Sequence, residues 1–349
     1  MEYRKEALQL SERIDRAHVV TTICHARPDG DAAGASVAMA SWLETCRGKD
    51  SAMIFPDAAP DTLDFLYGSK LPICSHAETA DRLSRTDLLI CLDFNTPSRV
   101  EELEPLLRAF PGPKVLIDHH EEPSRSDFDL CISETCTSST CELLFDILMN
   151  MPDVAGDASV LPQRCATALL TGMTTDTNNF ANSVWPGTLQ MASALLASGV
   201  DRDAVIDRLY CSERPNRLAA QGEMLDRITE LLPEGAAVTV LPQSFFDRHD
   251  LRDGETEGFV NLPLAIREVR LSILAREDGD RFRVSIRSKR GISARMLAKT
   301  RFHGGGHEQA AGGRILIPDD VASPGEVDAY VRAVTARFMQ ENQTRKTEE

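Results

Sequence analysis

Lys114-Val115-Leu116-Ile117-Asp118-His119-His120 opens as an apolar, β-rich run and ends on one carboxylate and two imidazoles. Two adjacent histidines after a buried strand have little packing use, and His is the commonest metal-binding side chain. Three other places carry a related pattern. Val19–Cys24 leads into His25-Ala26-Arg27-Pro28-Asp29-Gly30-Asp31, Leu88–Leu92 leads into Asp93, and an apolar stretch from Leu161 to Met173 leads into Thr174-Thr175-Asp176-Thr177. All four groups are expected to follow apolar runs and to converge at one edge of a parallel sheet. Imidazole mixed with carboxylate suits Mn²⁺ or another hard-to-borderline divalent ion better than thiolate would. Asp29 and Asp31 flank Gly30, a spacing that can aim two carboxylates at two adjacent ions. Helix capping is the alternative use of such a triplet. Asp93 read alone is also compatible with a turn.

The elements around these motifs alternate. Val19–Cys24, Ala52–Phe55, Leu88–Leu92 and Lys114–Ile117 read as strands; Gly30–Cys46, Ser98 to Phe110, Ser138–Asn150 and Leu161–Met173 read as helices. The polar Thr174–Thr177 stretch is expected to end the last of these. Continuous apolar strands alternating with helices predict an α/β fold with a parallel sheet covered on both faces. Residues 1–186 are assigned to this domain. Residues 187–232 read as a helical linker without strands. A smaller α/β domain is expected over 233–340, with strands at Ala237–Leu241, Arg270–Ala275, Arg281–Ile286 and Arg314–Ile317, a short helix at Ile292–Thr300, and a polar tail over 341–349.

The chain has 349 residues, 38 Lys+Arg against 54 Asp+Glu, and a formal net charge of −16. Affinity for long duplex nucleic acid comes from phosphate neutralisation by Lys and Arg, so that partner is disfavoured. A small phosphorylated ligand is not, because charge is screened beyond about 8 Å. No basic stripe is legible along the chain. The nine cysteines form no CxxC pair, the first residues lack signal-peptide character, and no apolar run approaches a membrane span. A reducing cytoplasm, no membrane and buried structural thiols are expected.

These motifs, in this order, resemble the DHH phosphoesterase superfamily over nearly the whole chain. His25-x-x-Pro-Asp29-Gly-Asp31, Asp93, Asp118-His119-His120 and Thr175-Asp176-Thr177 are similar to its four metal motifs. Gly304-Gly305-Gly306-His307 followed by Ala310-Ala311-Gly312-Gly313 is similar to the glycine motif of the DHH-associated C-terminal domain. Ser138-Ser139-Thr140-x-Glu142-Leu143 resembles a segment of the bacterial bifunctional oligoribonucleases (nano-RNase type) that also dephosphorylate 3′-phosphoadenosine 5′-phosphate.

The resemblance implies roles. One ion would take His25, Asp29 and Asp93; the other would take Asp31, Asp93, His119 and Asp176. Asp93 would bridge, His120 would face the substrate phosphate, and Asp118 would orient an imidazole. Mn²⁺ is the expected metal, with Mg²⁺ or Co²⁺ as substitutes. Arg287 can fork onto a phosphate, beside Ser288, and the backbone of Gly304, Gly305 and Gly306, with His307, can approach an anion closely. His303 stands where many relatives carry glycine, and its role is left open. The implied activity is metal-dependent hydrolysis of very short RNA and of 3′-phosphoadenosine 5′-phosphate. Cyclic or linear diadenylate hydrolysis, a family II-type pyrophosphatase and an inactive nucleotide-binding module are the rival readings. A homodimer is compatible with the chain.

Overall fold

The computed structural model describes residues 3–252 and 254–348, with side chains described as far as residue 342. The chain divides into two compact units, one ending at Ser212 and the other beginning at Glu213.

The first unit is built on five parallel strands, β1 (Val19–Ile23), β2 (Asp50–Ile54), β3 (Leu88–Leu92), β4 (Lys114–Asp118) and β5 (Leu130–Ser133), in the order β2-β1-β3-β4-β5. β3 is buried at every residue and β1 at four of five, as a sheet covered on both faces requires. Helices α1 (Arg4–Arg16), α2 (Gly30–Arg47), α3 (His76–Ser84), α4 (Glu104–Ala109), α5 (Thr140–Met149), α6 (Gln163–Asp176), α7 (Pro186–Ala197) and α8 (Arg202–Tyr210) complete the unit. The chain reverses direction across the sheet between β1 and β3. Such a switch point leaves a crevice beyond the strand carboxyl ends where ligands bind, and the residues that follow β1 and β3 are the His25–Asp31 motif and Asp93.

α2 is buried continuously from Gly30 to Leu43. Its alanines allow this, and so do glycines at the helix crossings. A Cβ on Gly34 would lie 2.6 Å from the Ala168 carbonyl oxygen of α6, and one on Gly172 of α6 would collide with the Cys141 sulfur and lie 2.8 Å from Asp31 Oδ1. Close helix approach is therefore what brings Asp31 of α2 beside α5 and α6.

Several expectations are corrected. The helix holding Asp176 does not stop at Met173 but includes Asp176, so this residue is the last of the helix rather than part of a stretch that follows it. The hydroxyls of Thr171, Thr175 and Thr177 donate back to the carbonyls of Thr167, Gly172 and Met173 at 2.8–2.9 Å. This local bonding lets a polar run stay helical. The expected Ser98–Phe110 helix is a 3₁₀ segment, Pro97–Leu103, kinked at Glu101 (φ 46°) ahead of α4. β5 had no expectation attached to it.

The stretch read as a strand-free linker is not uniform. α7 and α8 bury Met191, Leu195 and Val205 in the core of the first unit. α9 (Pro215–Glu223), a widened helical turn at Met224–Ile228 and a strand, β6 (Glu230–Leu232), belong to the second. That unit holds a six-stranded sheet in the order β10-β11-β9-β8-β7-β6. Its strands are β7 (Ala236–Leu241), β8 (Leu271–Asp278), β9 (Arg281–Ser288), β10 (Gly305–Gly306) and β11 (Ala310–Leu316), with β7 and β8 parallel and the other pairs antiparallel. Helices α10 (Gln243–His249), α11 (Ala294–Arg301) and α12 (Val327–Glu348) accompany it. The residues expected as a polar tail continue α12 to Glu348; Glu349 lies outside the described residues. Among the described residues no helix is long and apolar enough to cross a membrane.

Candidate metal centre

His25, Asp29, Asp31, Asp93, His119, His120 and Asp176 come together at the carboxyl edge of the first sheet. Their donor atoms form three overlapping sets: His25, Asp29 and Asp93; Asp31, His119 and Asp176; and Asp93, His119 and His120. Within each set every donor lies within 4.8 Å of the others.

Backbone geometry presents each group. Asp29 caps α2, its Oδ1 accepting from the backbone N–H of Asp31 at 3.0 Å and of Ala32 at 3.1 Å. The same Oδ1 is the oxygen that lies 3.9 Å from His25 Nε2, so capping keeps the carboxylate within the donor set. His25 is buried, with Nδ1 2.9 Å from the Ala26 carbonyl oxygen. An N–H there leaves Nε2 as the donor facing Asp93 Oδ2, 3.4 Å away. Asp93 sits at φ 64°, in the left-handed region that a short polar side chain tolerates. The turn directs its two oxygens apart. Oδ2 meets His25, whereas Oδ1 lies 3.6 Å from His119 Nε2. His119 Nε2 is also 3.4 Å from Asp176 Oδ2 and 4.0 Å from Asp31 Oδ2.

Asp31 is fully buried, and its carboxylate is held by the first turn of α5. Oδ2 accepts from the Thr140 N–H at 2.6 Å and Oδ1 from the Cys141 N–H at 2.9 Å. Those N–H groups have no partner within the helix, and the helix dipole favours the negative charge. Thr140 Oγ1 donates to Asp93 Oδ1 at 2.9 Å. Ser139 caps the same helix, its Oγ accepting from the Glu142 N–H at 3.0 Å. The buried Glu142 carboxylate accepts from the Ser138 N–H at 3.0 Å, from the Ser138 hydroxyl, and from Thr188 Oγ1 at 2.6 Å. The supporting role of Thr140 and Cys141 was missed in the sequence. The available signal was the Ser139-x-x-Glu142 spacing, which marks a helix start.

Electrostatics set these groups apart. Burial, together with Asp93 and Asp29, pushes the Asp31 carboxyl well above its usual range, and burial with Asp31 and Asp29 does the same to Asp176. Burial pushes Asp93 upward too, but the His25, His120 and His119 imidazoles outweigh it and hold it well below the carboxylate range. Burial lowers His25, yet its bond to Asp93 and the Asp29 charge raise it to about 9. His119 is lowered by burial, which favours the neutral, ligating form. His120 is raised despite burial because Asp118 Oδ1 lies 2.7 Å from its Nδ1. Asp118 is buried, with Oδ2 lacking a hydrogen-bond partner. Four carboxylates converging with imidazoles, two of them disfavouring their own charge, form a donor set that divalent cations fit.

The other expected residues lie in the second unit. Arg287 is half-buried on β9, donating to the Ile286 carbonyl at 3.0 Å, and burial lowers its guanidinium pKa. Ser288 is buried, its hydroxyl donating to the Ile292 carbonyl at 2.7 Å. Gly304–Gly306 form a hairpin rather than an open loop. Gly305 pairs with Gly312 and Gly306 with Ala311, and a Cβ on Gly304 would collide with the Gly312 carbonyl oxygen. His307 is exposed at the hairpin end, its N–H bonded to the Ala310 carbonyl at 2.7 Å. His303 Nε2 lies 2.9 Å from Asp320 Oδ1.

Parallel sheet, switch-point crevice and acidic-imidazole centre define an α/β protein with a site whose residues could hold divalent metal. Residues 19–173 match the DHH family, N-terminal domain, and residues 235–338 match the DHHA1 domain. The chain belongs to the DHH family of phosphoesterases and is a hydrolase. It is 29% identical to the bifunctional oligoribonuclease and PAP phosphatase NrnA of Thermus thermophilus, over 82% of this chain and 81% of that protein. It is 26% identical to the cyclic-di-AMP phosphodiesterase GdpP of Bacillus subtilis, over 85% of this chain but 45% of that protein. An exopolyphosphatase-related protein from Bacteroides fragilis superposes with a TM-score of 0.90 at 29% identity, covering 97% of this chain and 98% of that one.

Proposed function

We propose that this enzyme hydrolyses very short RNA and 3′-phosphoadenosine 5′-phosphate, using two divalent ions held in the first unit. The observation that carries the reading is the split of Asp93, whose Oδ2 belongs with His25 and Asp29 and whose Oδ1 belongs with His119. One ion would be held by His25, Asp29 and Asp93, the other by Asp31, Asp93, His119 and Asp176, with Mn²⁺ as the preferred metal. Such a pair of ions supplies an activated water and a clamp on the scissile phosphate. His120, held at Nδ1 by Asp118, acts on the phosphate rather than on an ion. Arg287, Gly304–Gly306 and His307, on the second unit, bind nucleotide phosphate. Substrate choice rests on the likeness to the oligoribonuclease and PAP phosphatase from Thermus thermophilus. Nine free cysteines accord with a reducing cytoplasm.

The likeness to GdpP favours a second reading, hydrolysis of cyclic diadenylate. A turnover panel with Mn²⁺ separates the two: pApA, RNA of increasing length, PAP, cyclic diadenylate and pyrophosphate. The first reading expects pApA and PAP to be the best substrates. Cyclic diadenylate outrunning pApA by about tenfold, or about 1.4 kcal/mol at the transition state, would replace it with the second. No turnover of any of them with metal bound would leave only a binding module.

A further inference from the structure

Arg276 of β8, Arg283 of β9 and Arg314 of β11 stand in one row across three adjacent strands. Arg276 pairs in register with Arg283, and Arg283 pairs in register with Arg314. Directly opposed residues share a face, so all three side chains leave the same side of the sheet. The alternating burial of β9 agrees, since Phe282, Val284 and Ile286 are buried on the other side while Arg283, Ser285 and Arg287 are half-buried. Neighbouring strands are about 4.8 Å apart, so three guanidinium-bearing residues are gathered within roughly 10 Å.

Like charges set directly opposite one another destabilise a sheet. Asp278 offsets part of this row, with Oδ2 2.6 Å from Arg283 Nε and 3.8 Å from Arg281 Nε. Arg314 is exposed, and its guanidinium makes no hydrogen bond or ion pair among the described residues. A cationic row on a chain carrying −16 calls for an anionic ligand. The floor beside it is bare toward β11, whereas on the β8 side Leu274, opposite Ser285, is buried against Phe245 and Phe259. In the next row on the same face Ser285 pairs with Gly312, and Gly305 pairs with Gly312 from the far side. A ligand can therefore lie close to the strands.

Arg287 stands on the same face of β9, four residues from Arg283, which is about 13 Å along an antiparallel strand. One nucleotide does not span that distance, whereas an oligonucleotide has further phosphates to place. We propose that Arg283 and Arg314, flanked by Arg276, form a second phosphate site that receives the backbone of an oligonucleotide beyond the nucleotide gripped at Arg287. The site rests on the substrate reading above, because it presumes that Arg287 holds the first nucleotide. It makes the second unit a ruler: a mononucleotide ignores the row, and a strand of several nucleotides uses it.

The test compares wild type with R314A and R283A/R314A, as full chains with Mn²⁺, on a pentanucleotide RNA and on PAP. The double variant is expected to raise KM for the pentanucleotide about tenfold, the scale of losing a charged hydrogen bond, with kcat and all PAP kinetics within twofold. The slope of log affinity against log salt should fall by about 0.7 for each phosphate that is no longer neutralised. Equal losses on both substrates, or none on the pentanucleotide, overturn the proposal. Fluorescence anisotropy of a labelled pentanucleotide, in D93N and D93N/R283A/R314A, reads the row without turnover. If wild type cuts no RNA but the arginine variant still loses affinity and salt slope, the site stands while the substrate reading falls. If affinity is unchanged, the site falls whatever the enzyme cuts.

Discussion

The Thr140 hydroxyl donates to Asp93 Oδ1 at 2.9 Å, while the Thr140 N–H donates to Asp31 Oδ2 at 2.6 Å. One residue at the start of α5 therefore fixes two carboxylates carried by different elements, the loop after β3 and the first turn of α2. Removing the hydroxyl with T140V keeps the shape and the backbone bond to Asp31 but frees Asp93 Oδ1. Groups that orient metal ligands typically govern affinity by 10–100-fold. Calorimetric titration of the metal-free protein with Mn²⁺ should show affinity lower by about tenfold at least, with T140S restoring most of it. Equal affinities for T140V and wild type would leave Thr140 a plain helix residue.

D93N is expected to fold and to lose turnover. Asp93 sits at φ 64°, and Asn tolerates that left-handed backbone as well as Asp does, so the change removes charge and bridging capacity without forcing the loop. Metal analysis should find fewer ions bound than in wild type. Near wild-type turnover with full occupancy would sink the assignment of Asp93 as the shared ligand.

The two adjacent imidazoles should separate in function. His119 Nε2 faces Asp93, Asp31 and Asp176, whereas His120 Nδ1 is 2.7 Å from Asp118. H119A is expected to lose metal; H120A is expected to retain it and lose turnover. Metal content and kcat measured side by side decide the matter, and identical emptying of the site by both variants would refute the division.

Metal removal should destabilise the first unit. Burial and Asp93 disfavour the charged form of Asp31, and burial and Asp31 disfavour that of Asp176. Ions that bind only the folded state therefore add stability by mass action, about 2.7 kcal/mol at a hundred times Kd. Thermal melts with EDTA and with saturating Mn²⁺ should differ accordingly, and D93N should narrow the gap. Equal Tm values in both conditions would argue against a resident divalent ion.

G172A tests the helix crossing. The added methyl meets the Cys141 sulfur and Asp31 Oδ1, an overpacking expected to cost about 1–3 kcal/mol. Urea denaturation measures it, and C141A in the same chain should return part of the loss, a coupling expected of neighbouring side chains. Additive effects would mean that the helices can simply move apart.

The chemistry of the first unit is legible in the chain before it folds. Apolar runs ending in His25, Asp93 and Asp118-His119-His120 mark strand ends, because a parallel strand buried on both faces must be apolar until it leaves the sheet. The donor types then follow from the residues themselves. Asp176 was legible as a candidate and so was the helix before it, but not that the helix runs on through Asp176, because threonine hydroxyls that bond to their own turn leave no apolar pattern. The anchoring of Asp31 by the α5 N-terminus and of Asp93 by Thr140 emerges only on folding, since the partners are 109 and 47 residues apart in the chain. The arginine row is the same lesson on the other unit. Arg276, Arg283 and Arg314 are scattered in sequence, and only strand register sets them side by side. Local pattern reports what one segment buries, whereas register and helix crossings are settled by which segments fit together, and no single segment carries that information.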